Sequence, residues 1–261
     1  MKLGTLTRKW WFYLLLLFIC FIPSYTEKQS LSSQTPLIIQ QVLQAPMVNE
    51  IKVLFPIAKT ILLFLFIGPI LFKERYKPAY YISIIVLSLF ITVFQNISVK
   101  TQFGIAVLIG NIIIQLIAIS FWCFDFTRKQ KYLPKLSLKW WNILTLLLAA
   151  IAFWMPNRNG LIYFDLKDLF VNEAGLTYCM TTPIFISAYL LFFKTNNNIT
   201  IRVVSSIGLY FGVMNMITWF LLNTHFWWMG IIHLPLLINS LIGLIIAFRK
   251  AKNIALTNAS A

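Results

Sequence analysis

The sequence predicts an all-α, polytopic bundle of about eight transmembrane helices, and three observations lead there. Hydrophobic residues fill 59% of the 261 positions, with a mean hydropathy of +0.80, while charged residues fill only 11%, against roughly 25% in soluble domains. Apolar runs close to the roughly 20 residues that cross about 30 Å of hydrocarbon recur along the chain. Lysine and arginine punctuate these runs instead of gathering on one solvated face. The formal charge of +15 is therefore a signature of membrane orientation. Nucleic acid, which selects clustered basic residues, is excluded as a partner.

The runs fall at residues 10–25, 53–72, 79–98, 103–124, 140–156, 174–193, 203–222 and 226–248. The first, WWFYLLLLFICFIP, follows Arg8-Lys9 as a secretory signal would, but no small-residue cleavage site comes after it. It reads as an uncleaved anchor. Cys20, Cys123 and Cys179 stand alone in separate runs without metal-ligand spacing, as small core residues.

Short loops keep Lys and Arg on the cytoplasmic side. With the N-terminus inside, 16 of the 22 basic residues fall on inner segments: Lys2, Arg8 and Lys9; Lys73, Arg75 and Lys77; Arg128, Lys129, Lys131, Lys135 and Lys139; Lys194 and Arg202; and Arg249, Lys250 and Lys252. The outer set is Lys28, Lys52, Lys59, Lys100, Arg158 and Lys167. An even number of spans in the plasma (inner) membrane, with both termini cytoplasmic, separates the charges best.

Two outer loops are long, SYTEKQSLSSQTPLIIQQVLQAPMVNE and NRNGLIYFDLKDLFVNE. Their apolar stretches LIIQQVLQ and LIYFDLKDLF are too short to span, which predicts helices lying at the interface. The loops also occupy corresponding places in an internal duplication of one membrane domain, with repeats 1–130 and 131–261. KWW opens both units at Lys9-Trp10-Trp11 and Lys139-Trp140-Trp141. A proline, a Leu-Ile pair, Val-Asn-Glu (Val48-Asn49-Glu50, Val171-Asn172-Glu173), Pro-Ile and Phe-Lys then follow in the same order. Four spans per unit make the halves parallel, an arrangement that places transporter sites near the interface between halves.

Orientation assigns each polar residue a depth. Glu50 and Glu173 open spans at the outer face, as a symmetric pair for a cation or amine, or as first-turn acids beside capping asparagines. His225 falls among interfacial aromatics, and His233 lies roughly 12 Å further along the last helix, where an intramembrane polar group needs a partner. Two histidines so spaced on one helix cannot share a metal or haem, and no cofactor is expected. At comparable depth stand Asn215 and Thr218 in the seventh run, Thr181 and Thr182 before Pro183 in the sixth, and Asn111 and Gln115 in the fourth. These form a polar layer, which serves as a ligand pocket or as hydrogen-bonding glue between helices. Ser205, Gly208, Gly212 and Asn215 make a small-residue stripe for close helix packing. Lys59 is expected to snorkel to the outer interface, and Asp125 to pair with Arg128 and Lys129.

Enzyme motifs such as HExxH, GxSxG and the P-loop are absent. Cys179, Arg202 and His225 supply the residue types of a transpeptidase triad, but topology puts Arg202 at the opposite face. The sequence points to a multi-pass transporter or binding protein for a small or amphipathic, lipid-like molecule reached from outside, with His233, Asn215, Thr181, Thr182, Asn111, Gln115, Glu50 and Glu173 as ligand residues. The alternatives are an integral-membrane enzyme on a lipid-linked substrate, or a structural subunit that assembles with partner membrane subunits in the lipid bilayer.

Overall fold

The computed structural model describes residues 3–128, 139–158, 160–193 and 199–259. Lys2, Lys129, Lys131, Lys135 and Lys194 of the expected inner set lie outside them. Of the described residues, 78% are helical. In order, the helices are α1 (Leu3–Leu6), α2 (Trp10–Ile19), α3 (Thr35–Gln44), α4 (Phe55–Phe72), α5 (Lys77–Phe94), α6 (Ile109–Thr127), α7 (Trp140–Trp154), α8 (Asp168–Val171), α9 (Tyr178–Phe192), α10 (Ile199–Ile217) and α11 (Trp227–Ala259). Prolines stand in the first turns of α3, α4 and α5, where their missing N–H groups leave no bond unmade.

Four described segments are long and apolar enough to cross a membrane: Lys52–Phe94, Ile109–Thr127, Ile199–Leu222 and Thr224–Phe248. A fifth results if Asp168–Leu176 and Tyr178–Phe192, which meet at 96°, form one broken span. The first segment covers two of the expected runs, α4 and α5, separated where Lys73 takes φ 50°. All eight apolar runs contain helices, but α2 has 10 residues and α7 has 15. At 1.5 Å per residue these reach only about 15 and 22 Å.

Two short sheets depart from the all-helical expectation. Strand β1 (Tyr25–Thr26) and strand β2 (Ile97–Thr101) flank β3 (Gly104–Val107), antiparallel, with Tyr25 and Ile97 both opposite Val107. The fourth run was expected to be helical from residue 103. Its first turn is instead a hairpin at Gly104, whose φ of 73° suits a residue without a Cβ. Likewise LIYFDLKDLF is not one interfacial helix: Leu161–Ile162 is strand β5, paired with β4 (Asn157–Arg158), and only α8 is helical. LIIQQVLQ does form a helix, within α3.

Helix α9 is the hub. Every residue from Met180 to Tyr189 is buried, and the helix packs on α4, α5, α7, α10 and α11. A helix apolar on all sides belongs in the interior. The α10–α11 pair is held by small residues, as the stripe predicted. A Cβ on Gly208 would lie 2.3 Å from Ser240 Oγ, and one on Gly212 would lie 2.9 Å from the Cα of Leu237.

Candidate functional site

Three helices turn a polar face toward one another. On α5 this face carries Tyr81, Ser88 and Thr92; on α6, Gln115, Trp122 and Asp125; on α9, Tyr178, Thr181, Thr182 and Tyr189. The spacings of three, four and seven residues keep each set on one side of its helix. The result is a polar seam running along the α5–α6–α9 junction.

At one end of the seam, Tyr178 N donates to Gln95 Oε1 at 2.8 Å, and Asn96 Nδ2 donates to Gln115 Oε1 at 3.0 Å. Next comes a largely enclosed cavity bordered by Ser88, Thr92, Gln115, Tyr178, Thr181 and Thr182. Its free space is about 10 Å³, room for one water-sized molecule. Trp122, about two turns beyond Gln115 on α6, and Phe185, about one turn beyond Thr181 on α9, also border it. Beyond them Asp125 Oδ2 accepts hydrogen bonds from Tyr81 at 2.8 Å and Tyr189 at 2.7 Å. These hydroxyls hold the Asp125 carboxylate, with Arg128 nearby, while the expected Lys129 lies outside the described residues; Trp122 stacks edge-on against Tyr189.

A second polar group lies between α9, α10 and α11. Asn215 Nδ2 donates to Phe211 O at 2.8 Å and approaches Cys179 Sγ at 3.6 Å, while Trp219 Nε1 donates to Asn215 Oδ1 at 3.2 Å. The Trp219 ring lies 6.4 Å from that of His233. His233 finds its partner within its own helix, with Nδ1 2.6 Å from Met229 O. Residues Thr218–Leu222 form a π-helical turn here. His225 is exposed, Arg202 is bonded to Thr7 O at 3.1 Å, and Cys179 faces Asn215, so no triad forms.

The two glutamates meet in a third place. Glu50 and Glu173, with Asn49, Lys52 and Lys100, border an open concavity of about 670 Å³. Glu50 is bonded to Lys100 at 2.5 Å, and that hydrogen bond and charge hold its carboxyl below the ordinary value. Asn172 caps the turn Glu173–Leu176 by accepting from Ala174 N. Asn49 caps nothing: it lies inside the turn Met47–Glu50, which Pro46 precedes. The two turns touch.

Of the eight residues singled out in the sequence, Gln115, Thr181 and Thr182 share the cavity, Asn215 and His233 the second group, and Glu50 and Glu173 the concavity. Asn111 joins none of them. Because α6 begins at Ile109, Asn111 sits in its first turn, half-buried. Lys59 does not snorkel. It is fully buried, donates to Phe153 O and to Asp168 O, and lies over the Phe153 ring. Sequence reading missed Gln95, Asn96 and Tyr178, although two adjacent amides ending an apolar run were visible. Cys123 is exposed, not a core residue. Among the described residues, no three His, Cys, Asp or Glu side chains gather as a metal site. No family model matches the chain, and neither does any curated protein or solved structure.

Proposed function

We propose that the chain is a multi-pass plasma-membrane protein, crossing eight times with both termini cytoplasmic, that binds or carries a small molecule reached from the outer side. The observation that supports this reading is the cavity: Gln115 from the first half and Thr181 and Thr182 from the second border one small, largely enclosed space, which they share with apolar Ile91, Ala118 and Val204. Interfaces between halves are where carriers built from parallel repeats hold their solutes. The concavity of Glu50 and Glu173 makes an outer vestibule, since Tyr178 follows Glu173 by five residues and Asn96 precedes Lys100 by four. The duplication belongs to this proposal. Both units open a helix at the first Trp of KWW, and both Val-Asn-Glu segments meet a 3₁₀ turn, the first lying within Met47–Glu50 and the second leading into Glu173–Leu176.

Thermal unfolding of the purified full chain against a panel of small solutes tests the reading. Stabilisation by a solute that disappears in Gln115→Leu and Thr182→Val, with helicity retained, is the expected result. Stabilisation that survives both substitutions overturns it. The second group supports a different role for its own residues: His233 and Asn215 are satisfied by carbonyls one turn back on their own helices. They read as packing between helices, the part a structural subunit would share.

A further inference from the structure

We propose that the solute taken by the α5–α6–α9 cavity is an uncharged hydrogen-bonding molecule of the amide or polyol class. This rests on the carrier reading above and adds the chemistry of what is carried.

The lining decides the class. No Lys, Arg, Asp, Glu or His borders the cavity. The acid nearest along the seam, Asp125, follows Gln115 by ten residues, or about 15 Å of helix, and Trp122 and Phe185 stand between. An ion in this space would lack a counter-charge in an apolar bundle, the costliest arrangement a membrane interior offers. A purely apolar solute would strand the hydroxyls and amides around it.

Several of the polar groups that border the cavity face it as acceptors. Thr92 donates its single hydrogen to Ser88 O at 2.7 Å, and Thr181 donates its own to Thr177 O at 3.0 Å. Both hydroxyl oxygens therefore meet the cavity as acceptors only. Gln115 Oε1 takes one bond from Asn96 and keeps a second lone pair. The buried Tyr178 hydroxyl is taken up by the Thr182 side chain beside it, so it is not a free donor to the cavity. A molecule carrying O–H or N–H groups and no net charge satisfies this set. The space as it stands admits one water-sized molecule, so a larger solute requires α9 to move from α5 and α6. The 96° break before Tyr178 and the proline Pro183 inside α9 flank the segment that would move.

Liposomes holding the full chain are tested by stopped-flow light scattering with three kinds of solute: urea and glycerol, choline chloride, and alanine. Faster entry of urea or glycerol than in protein-free liposomes, with choline and alanine unchanged, is the expected outcome. Thr182→Val then slows it roughly tenfold, as for one lost hydrogen bond, and Thr182→Ser restores it. Entry of choline or alanine alone overturns the uncharged class but leaves the carrier reading standing. No entry of any solute overturns both. Unchanged urea and glycerol entry in Thr182→Val, in a variant of wild-type helicity, removes the cavity from the route.

Discussion

The α5–α6–α9 junction and the α10–α11 pair both bury polar side chains in an apolar bundle, yet they solve the packing differently. In the pair, Gly208 lies against Ser240, Gly243 against Ser205, and Gly212 against the main chain of Leu237. The backbones approach until no space remains. At the junction the facing residues are large: Gln115, Trp122, Tyr178 and Phe185 hold the helices apart and leave a polar corner unfilled. Polar content alone therefore does not make a site. Side-chain volume decides whether hydroxyls become glue or lining.

Substitutions that change volume should break this contrast first. Gly212→Ala has the largest expected effect, because its Cβ would meet a Cα that cannot rotate away. We expect a loss of about 1–3 kcal/mol, read from unfolding of the purified protein in micelles. An unchanged midpoint would mean that the pair is as loose as the junction. Asn96→Leu is expected to cost about 1 kcal/mol, since it removes the donor to Gln115 Oε1; a neutral result would show that the junction depends on packing alone. Gly208→Ala should cost less than Gly212→Ala, because the opposing atom is a hydroxyl that can turn aside. Adding Ser240→Ala should recover most of that loss, and failure to recover would place the strain in the backbone.

The smallest effect is expected outside the bundle, at Glu50. Its carboxyl titrates below the ordinary range because of Lys100, so what the pair contributes is complete above that range and fades as pH falls through the lowered value. Both partners are more than half exposed, and screening by water and salt leaves little. Melting temperatures of wild type and Glu50→Gln should run nearly parallel from about pH 8 to about pH 5 and converge in stronger acid. A gap that widens in acid would reverse the assignment.

Much of the bundle was legible because apolar runs, interfacial tryptophans and basic loops carry their own physics. The runs at 53–72 and 79–98 reappear within residues of α4 and α5. Hydropathy could not tell Gly104–Val107 from the start of a helix, because GIAV is equally apolar in either form. That misreading put Asn111 in the layer, whereas the structure places it in the first turn of α6. Depth alone grouped Gln115, Thr181 and Thr182, which border one cavity. It said nothing of rotation about the helix axis, which sends Asn215 and His233 to a different interface. Lys59 was misread for the same reason. A lysine near a helix end usually reaches water, and only the fold reveals carbonyls waiting on the inner side.

That lysine has a consequence for how the chain can diverge. Its amine grips Phe153 and Asp168 by their main-chain oxygens, atoms that every amino acid supplies. A change of side chain at position 168 or 153 leaves those two bonds in place, though position 153 also lends the ring under the amine, whereas position 59 has no such licence. Among natural variants, change should accumulate around the lysine while the lysine itself stays put.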